Sequence, residues 1–145
     1  MPDRGRTTPA RPGGYALLIA SLVGVAAATL TPEGSGWAWG SPATETRWYL
    51  TGLDSSATLL QLLGNLGLLV VPAALAVLLW PSLRRPTALL AGALAAGTAI
   101  ELLQWALPLG RVVSPLDAAL NAAGAVAAGL LTRSLDAPIR GLARV

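Results

Sequence analysis

Four long apolar runs, at about 15–31, 57–80, 88–107 and 116–132, divide the chain. They hold roughly 17, 24, 20 and 17 residues, and a bilayer-spanning helix needs about 17–25. All four are rich in Ala and Leu, so helix propensity and hydrophobicity point the same way. Pro32, Pro81 and Pro108 close the first three runs, and Ser55 and Ser56 are candidate N-caps for the second. Ser114-Pro115-Leu116-Asp117 reads as an N-cap, a proline at the first helical position and an acid at the third, a capping-box-like start. The predicted fold is all-α, an integral membrane bundle of four transmembrane helices. A 1–14 tail precedes the 15–132 membrane domain and a 133–145 tail follows it. The longest link, 32–56, is expected to lie along the membrane surface with a short interfacial helix around Glu45 to Leu50.

Composition narrows this further. Hydrophobic residues make up 54% of the 145 and charged ones 12%, too few charges to clothe a soluble domain this small. The mean hydropathy of +0.61 agrees. The absence of Cys and His removes thiolate chemistry, disulfides and the usual catalytic triads, so no cofactor or metal is expected. All ten cationic residues are Arg, scattered at the ends of apolar runs rather than along one stripe, a topology signal and not a nucleic-acid surface. Arg4, Arg6, Arg11, Arg84, Arg85, Arg133, Arg140 and Arg144 fall on one side of a four-span layout, and Arg47 and Arg111 on the other. The positive-inside bias puts both termini in the cytoplasm of a multi-pass cell-membrane protein. Tyr15, Trp80 and Trp105 mark the span edges as interfacial aromatics do. One alternative concerns the first run, where Ala26-Ala27-Ala28 could end a cleaved secretory signal; its full spanning length favours retention.

Polar residues inside the runs carry the remaining information. Gln61 and Asn65 are four apart, Glu101 and Gln104 three apart, and Asp117 and Asn121 four apart, so each pair shares a helix face. At 1.5 Å per residue, Asn65 lies about 12 Å and Glu101 about 9 Å from the outer ends of their spans, so all six fall in the outer half of the membrane. A carboxylate facing lipid is costly, so Glu101 is expected to face the bundle, be protonated or meet a cation, with Arg111 the nearby candidate and Arg47 a second. The economical arrangement is an outward polar pocket of Glu101, Gln104, Arg111, Asp117, Asn121 and Asn65, with Arg111 as anion clamp. Plainer roles compete: a helix start for Asp117, interhelical hydrogen bonding for the amides and a headgroup charge for Arg111. Glu101 is the residue these roles explain least.

Glu101-Leu102-Leu103-Gln104, followed by Arg111, Asp117, Asn121 and Gly124, resembles the VanZ-like family of bacterial membrane proteins, whose pattern runs E-x-x-Q and then R-x-x-D-x-x-D-x-x-x-N-x-x-G. Asn65 and Pro72 are similar to the family's second-helix segment, and Thr29-Leu30-Thr31-Pro32 to the end of its first. Ser114 stands where the pattern has its first acid, and the second helix lacks the usual Phe. The resemblance implies a cell-envelope role linked to teicoplanin-type glycopeptide resistance and lipid-linked wall material. The leading expectation is a protein that binds an amphipathic or lipid-linked envelope component. Alternatives are a membrane enzyme using Glu101 and Asp117 as an acid/base pair, or a small transporter. The partners expected are the bilayer and that ligand, without nucleic acid.

The layout yields a direct test. Reporter fusions after Arg85 and after Arg144 are expected to read cytoplasmic, and fusions near Glu45 and after Arg111 external. An external Arg85 link would overturn the assignment.

Overall fold

The computed structural model describes residues 12–142, so Arg4, Arg6, Arg11 and Arg144 lie outside the described residues. Its elements in chain order are α1 (Pro12–Leu30), β1 (Trp37–Trp39), α2 (Pro42–Thr51), α3 (Ser56–Leu68), α4 (Val70–Leu79), a 3₁₀ turn (Pro81–Arg84), α5 (Pro86–Ala106), β2 (Arg111–Val113) and α6 (Pro115–Leu142). Four helices, with α3 and α4 counted as one, are long and apolar enough to cross a membrane. The protein is an all-α membrane bundle, as its apolar runs predict. Proline occupies the first position of α1, α2, α5 and α6, where its missing N–H would have had no partner and its fixed φ suits the helix.

α1 begins at Pro12 rather than at 15, and two other spans depart further from the expected boundaries. The second span breaks at Leu69, because Pro72 offers no N–H to the Leu68 carbonyl and its ring crowds that oxygen. The fourth runs past Thr132, the end expected from the sequence, to Leu142. Arg133 donates to the Arg84 carbonyl (3.0 Å), and Arg84 pairs with Asp136 (2.6 Å), fastening the added turns of α6 to the 3₁₀ turn.

α6 is the central element. It packs on α3, α4 and α5, while α1 leans on α4 and α5 and barely touches α3. The core joins Leu69, Ala93, Ile100, Ala122 and Ala125, with Val25 of α1 against them. Large apolar side chains also point away from the bundle: Leu17, Leu60 and Leu131 are each at least 60% exposed, a surface suited to lipid.

Outside the spans, β1 and β2 pair in parallel with Trp37 opposite Arg111 and Trp39 opposite Val113. Glu33 donates its N–H to the Leu109 carbonyl (2.8 Å), Gly110 to that of Gly36 (2.7 Å) and Gly40 to that of Val113 (2.8 Å). Gly36 and Gly110 sit at φ +76° and +71°, where side chains are strained, and a Cβ on Gly110 would strike the Gly34 backbone. The α1–α2 loop is thereby tied to the α5–α6 link.

Small residues allow the close helix crossings. A Cβ on Gly124 would overlap the Leu66 carbonyl of α3, and one on Gly97 would lie 2.5 Å from the Ala118 oxygen of α6. Spacing alone does not single these out, since Gly24, in an equally regular small-residue row, has nothing within 4 Å. Gly124→Ala is therefore expected to lower the melting temperature of the detergent-purified protein, in line with overpacking penalties of about 1–3 kcal/mol. Gly24→Ala is expected to leave it unchanged or raise it through helix propensity.

Candidate functional site

The site is built around the N-terminus of α6. Ser114 is fully buried there. Its hydroxyl oxygen accepts the N–H groups of Leu116 (3.1 Å) and Asp117 (3.2 Å), and its proton goes to the Glu45 carboxylate. Its own N–H donates to Glu101 Oε2 at 2.7 Å. In a local capping box the third helical residue reaches back to that N–H. Here Asp117 occupies the third position, but its carboxylate accepts the Tyr49 hydroxyl instead (3.2 Å), and Glu101 of α5 takes over the reciprocal bond. The capping box is thus completed across two helices.

Glu45 and Tyr49 come from α2, four residues apart and on one face of that helix. Tyr49 is buried, and Asn65 also approaches its hydroxyl. Burial and the neighbouring Asp117 carboxylate push the Tyr49 pKa up to about 12, so its proton stays in place as the donor to Asp117. The sequence reading places a short helix here yet assigns neither residue to the pocket. The four-residue spacing of an acid and a tyrosine was the available signal.

Gln104 and Arg111 serve the end of α1. Gln104 Nε2 donates to the Thr29 carbonyl (3.1 Å), and Arg111 Nε and its terminal nitrogen reach the Thr31 carbonyl (3.3 and 3.1 Å). The same guanidinium pairs with Glu33 at 3.0 Å. The expected Glu101–Arg111 ion pair is therefore replaced by other partners. Strand pairing sets Arg111 beside the last carbonyls of α1, which need donors, while Glu101 finds the α6 N-terminus. Arg47, the other cation considered, is exposed on α2.

Between α1, α3, α5 and α6 lies a cavity of about 730 Å³. Glu101, Gln104, Arg111, Asp117, Asn121 and Asn65 all line it, and Gln61 and Glu33 join them. Asn121 is 1% exposed, and its Oδ1 has no hydrogen-bond partner among the described residues. The α1 wall is Ala28 and Thr29; the α3 wall includes Leu60, Gly64 and Leu68. Because these two helices barely meet, the cavity faces sideways between them as well as toward the loops. Among the described residues no group of three or more Asp, Glu, His or Cys side chains is arranged to hold a metal.

A family model described as VanZ/LLP1 matches residues 15–136. The chain belongs to the VanZ/LLP1 family. Searches of curated proteins and of solved structures find no match. The VanZ/LLP1 match runs from the first turns of α1 to Asp136 and takes in every residue lining the cavity. With four membrane-length helices, it identifies a multi-pass protein of the cell membrane.

The partners observed reverse one consequence of the sequence reading. Glu101→Gln keeps an oxygen for the Ser114 N–H and is expected to cost little stability, whereas Glu101→Leu orphans a buried donor at about 1–3 kcal/mol. Arg111→Ala releases the end of α1 independently. Melting curves of the singles and of the Glu101→Gln/Arg111→Ala double variant are expected to be additive. Rescue in the double variant would restore the direct ion pair.

Proposed function

We propose that this VanZ/LLP1-family protein binds the polar head of an amphipathic or lipid-linked cell-envelope component in the cavity beside α6. The observation that carries this reading is the convergence of polar side chains from three spans on one space of about 730 Å³. Polar groups at membrane depth are expensive, and such residues mark ligand or ion paths by default. The opening between α1 and α3 gives a tail a route to remain among lipids while its head occupies the cavity. The Arg distribution supports an external position for this end of the bundle. The family's link to teicoplanin resistance supports an envelope component as the ligand.

An acid/base enzyme has less support. Glu101 is engaged as a helix cap, Asp117 holds Tyr49, and the Ser114 hydroxyl beside them is fully buried with its donor and both acceptor positions in use.

Gly64 lines the cavity and a Cβ there would meet nothing within 4 Å, so Gly64→Trp is the variant chosen to crowd the site. Mass spectrometry of protein purified from native membranes is expected to find an amphiphile with the wild type that is depleted with Gly64→Trp. Identical lipid profiles for the two would overturn the proposal.

A further inference from the structure

The cavity's hydrogen-bonding groups are unevenly committed. Several donors are already engaged: Gln104 on the Thr29 carbonyl and Arg111 on the Thr31 carbonyl and Glu33 in the cavity wall, with Gln61 and, from behind the wall, the Tyr49 hydroxyl on Asp117. Two acceptors keep capacity to spare. Glu101 takes one backbone N–H, through Oε2. Asn121 Oδ1 is buried in the wall without a partner among the described residues. Charge is unbalanced in the same direction. Three carboxylates, Glu33, Glu101 and Asp117, line the cavity against one guanidinium, and that guanidinium is paired with Glu33. Glu45 adds a fourth carboxylate just behind Ser114. The α6 N-terminus offers these acids only about half a positive charge.

We infer that the head group held in this cavity is a protonated amine, donating to Asp117, Asn121 Oδ1 and Glu101, on an amphiphile that enters between α1 and α3. The inference rests on the binding role proposed above and replaces the anion-clamp role expected for Arg111. An ammonium brings three donors and no acceptor, the complement of what the wall leaves unused. It also brings the charge that Glu101 and Asp117 lack, and charge-assisted hydrogen bonds are about twice as strong as neutral ones. A phosphate head would meet the two carboxylates with no uncommitted cation. Asp117 and Asn121 are one turn apart on α6, so one head group spans both. The apolar wall of Leu60 and Leu68 on the α3 side then borders its chain.

The test compares three probes sharing one tail: hexadecylamine, hexadecyl phosphate and hexadecyl glucoside. Each is added to the full-length protein in nanodiscs, and specific retention is measured as the excess over Gly64→Trp. The amine is expected to be retained at least about tenfold more tightly than the phosphate, the difference one charge-assisted contact gives. Asp117→Asn is expected to erase most of that preference and Glu101→Gln part of it. Equal or stronger retention of the phosphate, or an amine preference unchanged in Asp117→Asn, would overturn the head-group inference while leaving cavity binding intact. Retention of all three probes unaffected by Gly64→Trp would overturn the binding role itself. If neither acid variant folds, the wild-type order of amine over phosphate still decides the head group.

Discussion

The structure depends on how the N-terminus of α6 is satisfied. A helix that starts within or near a membrane leaves N–H groups that water cannot reliably reach, and each one unmet is expensive. Ser114 answers two of them locally, and the Glu101 carboxylate answers the N–H of Ser114 itself. Because Glu101 belongs to α5, this cap is also a tertiary link. It holds the α5–α6 crossing in a register where Gly97 lies against the Ala118 backbone. The same point receives α2 through Glu45 and, one residue turn along, through Tyr49 and Asp117.

That arrangement explains why acids in a span are tolerated. Glu101 is 8% exposed and Asp117 9%, and neither faces lipid without a donor. A backbone N–H, a tyrosine hydroxyl and the positive end of a helix do the work that a sequence reader assigns to arginine. Arg111 is left to close the end of α1 with Gln104. One family motif therefore divides in two: Glu101, Ser114 and Asp117 around the start of α6, Gln104 and Arg111 around the end of α1. The cavity is the space between the two, and it exists because α1 leans toward α4 and α5 rather than α3.

The wall inherits its chemistry from this division. Donors are drawn to helix carbonyls at the end of α1, and acids are drawn to helix amides at the start of α6. What remains toward the cavity includes the Asn121 carbonyl oxygen, buried without a partner among the described residues. Ser114 holds its position as a cap. A second carboxyl is supplied there by Glu45 of α2.

The sequence by itself determined the class of structure and most of its boundaries. Twenty-residue apolar runs admit few alternatives to spanning helices, and Pro32, Pro81 and Pro108 mark where three of them close. It also determined which polar residues share a depth, because rise per residue converts position into distance along a helix. The family pattern from Glu101 to Gly124 was legible for the same reason that the site is compact: it spans one helix end, a short link and the next helix start. Partners were decided only by the tertiary structure. Whether Glu101 meets Arg111 or the Ser114 N–H depends on the parallel pairing of two three-residue strands, Trp37–Trp39 and Arg111–Val113, too short to show any hydrophobic period. Glu45 and Tyr49 enter the site because α2 folds back on α3 and α6, a contact between segments 68 and 69 residues apart that no local pattern encodes.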